Sequence, residues 1–154
     1  MDIETEIAAR RSRMSVLARC KTSRLQGLWA KLGLDPAYKL LRGPEYGLVM
    51  LRGRTGGTGE AFNIGEATIT RVSVKLDDGS VGHAMALGRD HAKVRLSAIV
   101  DALCHDIETA ALIDAEIIAP IRSELDGEDE KRRQQTAATR VDFFTMVRGE
   151  DDAD

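Results

Sequence analysis

Residues 70–88 read TRVSVKLDDGSVGHAMALG. Polar and apolar residues alternate on both sides of Asp78-Gly79, and this dipeptide favours a two-residue type I′ turn, in which both positions need positive φ. The sequence therefore predicts an antiparallel hairpin. Its expected register pairs Leu76 with Val81, Val74 with His83, Val72 with Met85 and Thr70 with Leu87. The large apolar residues then share one face, and the opposite face carries Ser73, Lys75, Gly82 and Ala84.

The period of two continues upstream of this hairpin as far as Tyr38. Turn residues at 43–45 and 53–59 divide the region, so the pattern predicts a sheet of about four strands. Residues 48–51 are apolar on both faces, which indicates a strand covered on both sides. Polar residues interrupt the apolar face further on, and either a functional site or a β-bulge near Gly65 would explain them. These residues are Glu66, Thr68 and Thr70.

Helical periodicity flanks the strand region on both sides. Residues 3–32 predict two helices, the second capped by Thr22 or Ser23 and closed by Gly33. Asp90 is expected to cap the next helix, Pro120 to end one helix or begin another, and residues 124–135 to form a solvated helix or a linker. The apolar stripe expected after Asp90 consists of Ala92, Leu96, Ile99, Val100, Leu103 and Ile107.

These patterns predict an α+β fold with N-terminal helices, an antiparallel sheet and C-terminal helices. A length of 154 residues suits one domain. We expect residues 1–36 to form a helical arm, 37–88 the antiparallel sheet, 89–149 helices and a docking tail, and 150–154 a disordered end.

Composition excludes several classes of function. The net charge of −3 argues against a dedicated nucleic-acid binder. No apolar run approaches the roughly 20 residues that span a bilayer, and the acidic N-terminus is unlike a signal peptide. Cys20 and Cys104 read as two separate thiols, which predicts a cytoplasmic protein. A basic cluster near the N-terminus is expected to be a solvated helix face or to meet an acidic partner: Arg10, Arg11, Arg13, Arg19, Lys21 and Arg24.

The stretch RGRTGGTG at residues 52–59 is the first candidate binding element. Glycines let backbone amides approach a phosphate, and arginines pair with its oxygens, although the stretch lacks the Gly-Lys-Ser/Thr of a Walker loop. A flexible loop or a docking element is the other interpretation. The substrate- or phosphate-binding candidates are Arg52, Arg54, Gly56, Gly57, Gly59, Glu66, Arg71 and Arg89.

No residue is predicted to be catalytic. His83 is expected to be a hydrogen-bonded core residue, no histidines or cysteines have metal-ligand spacing, and no nucleophile elbow occurs. We therefore expect no bound metal.

The C-terminal stretch VDFFTMV, residues 141–147, is apolar enough to demand burial. Burying two Phe side chains contributes about 3–6 kcal/mol. Phe143, Phe144 and Met146 are therefore predicted to dock on a neighbouring subunit or on the chain's own core.

Several segments together resemble one family, the G subunits of the carbon–phosphorus lyase complex. The segments are MSVLA at 14–18, EYGLV at 45–49, GGTGE at 56–60, GEATITR at 65–71, GRD at 88–90 and RVDFFTMVRG at 140–149.

The resemblance implies a role in organic phosphonate catabolism and phosphorus assimilation. Members of that family work with the H, I and J subunits of a core complex, and indirectly with the nucleotide-binding K and L subunits. The complex makes α-D-ribose 1-methylphosphonate 5-triphosphate from ATP and methylphosphonate and releases adenine. The resemblance thus implies a transferase subunit to which no catalytic residue is assigned. ATP is used by the complex, and no cofactor is expected on this chain.

Three hypotheses follow. The first is an assembly subunit that docks through the glycine-rich loop and Phe143-Phe144 and supports a site on the I subunit. The second is a phosphate-ligand-binding protein that contributes arginines to a shared active site. The third, nucleic-acid binding through the N-terminal arginines, is opposed by the net charge.

Overall fold

A computed structural model describes residues 3–54 and 59–138 of the chain. It has the predicted α+β architecture, with a three-stranded antiparallel sheet whose strands stand between two groups of helices in chain order. In chain order the elements are α1 (Ile3–Arg19), α2 (Thr22–Leu32), β1 (Tyr38–Arg54), β2 (Ala61–Leu76), β3 (Val81–Leu87), α3 (His91–Leu103), α4 (Ile107–Ile113), a π-helical turn (Asp114–Ile118) and α5 (Ala119–Ala138).

The N-terminal helices form the predicted pair, and Gly33 closes α2 in the left-handed conformation with φ of 70°. The predicted N-terminal cap of α2, Thr22 or Ser23, is wrong. Lys21 occupies the N-cap position without a side-chain cap bond, and the Thr22 hydroxyl donates instead to the carboxylate of Asp90. Thr22 therefore joins α2 to the start of α3.

The sheet has the order β1-β2-β3, so β2 is the central strand. β1 runs through the turn predicted at residues 43–45 because two register shifts absorb the extra residues there, and Gly43 adopts a φ of 66°. The peptide bond between Gly43 and Pro44 is cis. The expectation that residues 48–51 are covered on both sides is wrong for this chain, since β1 is an edge strand and Leu48 is 63% exposed.

The hairpin between β2 and β3 exists, but its predicted register is wrong by one residue. Lys75 pairs with Val81 and Ser73 with His83. Only Gly79 has positive φ in this turn, so the connection is a three-residue loop with a glycine bulge and not a type I′ turn. The shift moves His83, Met85 and Leu87 to the exposed face and turns Gly82, Ala84 and Ala86 towards the helices. The prediction of His83 as a core residue is therefore wrong.

Close packing of α3 on β3 explains why the small residues point inwards. A Cβ atom added to Gly82 would lie 2.0 Å from the carbonyl oxygen of Ala98 and 2.5 Å from the backbone nitrogen of Ala102. Larger side chains at these positions would hold the helix away from the sheet. The buried cluster between sheet and helix contains Val72, Val74, Leu76, Ala84, Ala86, Val94, Ala98, Ile99 and Ala102.

α3 begins as predicted, with the Asp90 carboxylate accepting from the Lys93 backbone nitrogen at 2.8 Å. The predicted apolar stripe is correct only in its middle, because Ala92 is exposed and Ile107, which begins α4, is 74% exposed. The sheet and α1 flank α3, so it is buried over most of its circumference. Its buried residues are Val94 and all residues from Ser97 to Ala102.

The remaining helices enclose a second core made by Leu17, Leu25 and isoleucines 113, 117, 118 and 121. Pro120 is the second residue of α5, which follows directly after the π-helical turn. A proline lacks the donor that an α-helix needs and crowds the carbonyl four residues earlier, which accounts for the wider turn at that place. Residues 124–135 belong to α5 and form the solvated helix that was one of the two predictions.

Candidate functional site

The sheet continues beyond β3 as a two-stranded ribbon. β3 pairs only with residues 69–75 of β2, whereas Leu48–Arg54 of β1 pairs with Ala61–Thr68 of β2 alone. We call residues 48–54 and 61–68 the ribbon. A bulge near Gly65, one of the two alternatives for this segment, is present, since the register shifts between the pairs Leu51–Gly65 and Arg52–Asn63.

The ribbon exposes large apolar side chains. Leu48, Met50 and Ile64 are 59–63% exposed, and Phe62 is 49% exposed. Leu51, on the face opposite Leu48 and Met50, is 39% exposed. Isolated two-stranded ribbons are marginally stable in water, and contiguous apolar patches mark interaction surfaces. Among the described residues, neither outer edge of the ribbon is paired with another strand.

At the base of the ribbon, two arginines share one carboxylate. Glu45 of β1 accepts hydrogen bonds through the same oxygen, Oε1, from Arg42 Nε at 2.6 Å and from Arg71 Nε at 2.7 Å. The bond from Arg71, with that from Arg42, holds the pKa of the Glu45 carboxyl below its ordinary value. We call these three residues the arginine trio.

A hydrogen-bonded Ser–His pair lies beside the trio. Ser73 Oγ is 2.8 Å from His83 Nδ1, across the directly paired strands β2 and β3. The predicted register set His83 opposite Val74 and therefore did not reveal this pair. The signal that would have found it is the run of small residues Gly82, Ala84 and Ala86, which is typical of a strand face under a closely packed helix.

A third polar group lies near the start of α3. The Tyr46 ring stacks on the His91 ring at a centroid distance of 4.7 Å, and the Arg89 guanidinium lies 5.7 Å from the Tyr46 centroid. Within the described residues, the buried His91 Nε2 has no hydrogen-bond partner. Arg89, a predicted phosphate-binding candidate, is thus placed against an aromatic ring.

The structure does not gather the other predicted phosphate-binding residues into one place. Arg52 donates to the carbonyl oxygen of Ala61 at 3.3 Å, Arg54 ends β1, and Glu66 is exposed opposite Met50. Arg52 pairs with Asn63, and Asn63 precedes Arg71 by eight residues. Eight residues of extended strand span about 26 Å, so Arg52 and Arg71 do not share one site. Gly59 follows immediately after a gap in the described residues. Gly56, Gly57 and the docking candidates Phe143, Phe144 and Met146 lie outside the described residues.

The N-terminal basic cluster meets acidic residues of the chain itself. Arg10 donates from two nitrogens to both oxygens of Asp101, each at 2.8 Å, and the same buried carboxylate accepts from the His83 backbone nitrogen at 2.9 Å. Arg11 is exposed. The other pairs join α1, α2 and the residue between them to the later helices: Arg13–Asp114, Arg19–Asp129, Lys21–Glu128 and Arg24–Glu124.

Neither cysteine has the environment of an activated nucleophile. Both are free, and burial raises the pKa of Cys20 and raises that of Cys104 to about 11. Residues 3–54 and 59–138 contain no group of three or more metal-ligating side chains. Within the same ranges, no helix has the length and apolar character needed to cross a membrane.

Comparison with known proteins identifies a family and a similar protein. The family described as "Phosphonate metabolism protein PhnG" matches residues 8–149. A protein of Rhizobium meliloti (strain 1021), named alpha-D-ribose 1-methylphosphonate 5-triphosphate synthase subunit PhnG, is 48% identical over 145 residues. That alignment covers 94% of this chain and 92% of the relative.

Proposed function

The chain belongs to the PhnG family of phosphonate metabolism proteins, and from this premise we propose that it is a subunit of the carbon–phosphorus lyase core complex. In that role it is required for making α-D-ribose 1-methylphosphonate 5-triphosphate from ATP and methylphosphonate with release of adenine. The name of the Rhizobium meliloti relative, a synthase subunit, supports the assignment. The site of action is the cytoplasm, where ATP is available.

The observation that carries the assembly role is the exposed ribbon. The described residues form two clusters of buried apolar side chains, whereas the ribbon exposes five large apolar side chains to water. Covering the exposed parts of these side chains contributes about 1 kcal/mol each, or on the order of 5 kcal/mol together. A contribution of that size stabilises an interface with another chain.

The chain acts by shaping its partners' site. We assign the chemistry to other subunits, and the two thiols of this chain, whose pKa values burial raises, take no part in it. The proposed partners are the H, I and J subunits, with the nucleotide-binding K and L subunits acting indirectly. Both edges of the ribbon offer backbone groups to which a partner strand can add.

The test is co-purification with a tagged I subunit after co-expression of the G, H, I and J subunits of the same organism. The wild-type chain is expected to be retained in stoichiometric amount. The double variant Leu48→Ser/Ile64→Ser is expected to lose at least tenfold in retained protein, because both residues would leave the interface.

The matched control is Ile107→Ser, which removes a 74% exposed apolar side chain from the helical part of the molecule. It is expected to co-purify like wild type. Equal retention of the ribbon variant and of this control would refute docking through the ribbon.

A further inference from the structure

The exposed face of the sheet gathers five polar side chains from three adjacent strands. β1 supplies Arg42 and Glu45, β2 supplies Arg71 and Ser73, and β3 supplies His83. Cross-strand pairing sets Glu45 opposite Arg71, Arg42 opposite Ser73, and Ser73 opposite His83. The sheet register thus concentrates these groups, which lie up to 41 positions apart in the sequence.

The arginine trio carries a net charge of +1, because two guanidinium groups share a single carboxylate. Each guanidinium has five N–H donors. In the described part of the chain, each gives one hydrogen bond, from Nε, to Glu45. The terminal nitrogens of both groups are therefore available to an acceptor. Their side chains are 54% and 42% exposed, so a ligand reaches them from solvent.

The surface at this place is concave. Arg42, Arg71, Ser73 and His83 line a shallow, open depression of about 390 Å³, and Met14, Val72, Ala84 and Met85 contribute its apolar surface. The Ser73 hydroxyl and the His83 imidazole, joined at 2.8 Å, supply further hydrogen-bonding groups next to the guanidinium pair. The depression has room for a small anion and for an organic substituent on it.

We infer that this depression is a binding site for a tetrahedral phosphorus oxyanion, held by Arg42 and Arg71 with Ser73 and His83 as additional contacts. Guanidinium groups match such oxyanions through paired N–H donors. The oxyanion chemistry follows from the geometry, whereas the choice of a phosphonate or a triphosphate as the natural ligand rests on the proposed function. The site contains none of residues 52–59. Of the predicted phosphate-binding candidates it uses only Arg71.

A purely structural role explains the trio less well. Exposed ion pairs contribute about 0–1 kcal/mol to stability, and a single arginine would neutralise Glu45. The second arginine leaves an uncompensated positive charge on the sheet, and a ligand anion would compensate it.

The site is tested by ³¹P NMR titration of the full-length chain near pH 7.5 with inorganic phosphate, methylphosphonate and ATP as separate probes. Saturable binding of at least one probe is expected, with a dissociation constant on the order of 1 mM or lower. Arg42→Gln and Arg71→Gln are each expected to weaken binding at least tenfold. The probe that binds with the lowest dissociation constant shows whether the site prefers phosphate, a phosphonate or a triphosphate.

Glu45→Gln is expected to increase the affinity for the probes, a result that loss of folding cannot produce. Replacing the carboxylate by a neutral amide raises the charge of the trio from +1 to +2 and weakens the hydrogen bonds that hold both Nε donors, so binding is expected to tighten several-fold. Lys75→Gln removes an exposed cation from the same strand, beyond the trio, and should change affinity less than twofold.

Absence of saturable binding of all three probes to the wild-type chain would overturn the inference. So would equal weakening by Lys75→Gln and Arg71→Gln, which would mean unspecific attraction. The anion-site variants are expected to co-purify with the I subunit like wild type. Failure of the ribbon test with intact anion binding would therefore remove the proposed assembly role and leave the site.

Discussion

The helical part of the molecule and the ribbon use apolar residues in opposite ways. Around α3, small residues of β3 allow helix and sheet to touch, and the buried carboxylate of Asp101 has three hydrogen bonds. In the ribbon, Leu48, Met50 and Ile64 are more exposed than buried. The first region stabilises the fold of the single chain, and the second is the surface that we propose another chain covers. Mutations should therefore separate stability from assembly.

The largest expected effect is at Gly82. In Gly82→Ala the new methyl group meets backbone atoms of Ala98 and Ala102 that cannot move without displacing α3. The free energy of unfolding is expected to fall by about 3 kcal/mol, measured by urea denaturation. Gly127→Ala is the control, because that α5 position has open space around it and alanine should stabilise the helix by about 0.5–1 kcal/mol. A mild effect at Gly82 would mean that the two layers are not in close contact.

A second test removes the buried carboxylate. Asp101→Ala leaves the His83 backbone donor and the Arg10 guanidinium without their acceptor, so a loss of about 2 kcal/mol is expected in the same assay. Asp126→Ala removes an exposed carboxylate from α5 and should stay within about 0.5 kcal/mol of wild type. Similar values for both variants would show that Asp101 does not join α1, α3 and β3.

A third test uses pH. Burial raises the pKa of Cys104 from 9.0 to about 11, so between these values the unfolded chain loses the proton while the folded chain keeps it. The stabilising contribution is complete below pH 9 and falls as pH rises towards 11, by about 1–2 kcal/mol for this half-buried thiol. Unfolding of wild type and Cys104→Ala at pH 8 and pH 10 measures it. The stability difference between them should change by about 1 kcal/mol, and a constant difference would contradict the burial of the thiol.

The smallest expected effect on stability is in the ribbon. Met50→Ala should change the unfolding free energy of the isolated chain by less than about 0.5 kcal/mol, because the side chain is 59% exposed. Ile99→Ala, in the buried cluster, should cost about 2–4 kcal/mol. A large loss from Met50→Ala would mean that the ribbon belongs to the core of the single chain.

The sequence was sufficient for the order of elements and for local features that follow from one or two residues. Gly33 closes α2 and Asp90 caps α3 as expected, and a bulge lies near Gly65, which was one of two alternatives there. Each of these depends on backbone conformation or on a nearby hydrogen bond, which local sequence encodes.

The sequence was insufficient where tertiary packing decided the outcome. Alternation alone cannot distinguish two hairpin registers that differ by one residue, and α3 selected the one that buries Gly82, Ala84 and Ala86. The same error concealed the Ser73–His83 contact and the open face beside the arginine trio. The apolar run at residues 48–51 predicted a strand covered on both sides, but β1 is an edge strand and Leu48, Met50 and Leu51 are exposed.

Backbone hydrogen exchange tests the central claim most directly. Amide exchange of residues 48–54 and 61–68 should be measured by mass spectrometry in the isolated chain and in the complex with the H, I and J subunits. A partner that covers the ribbon should slow exchange in these segments at least tenfold and leave α3 nearly unchanged. Equal ribbon exchange rates in both states would contradict the account.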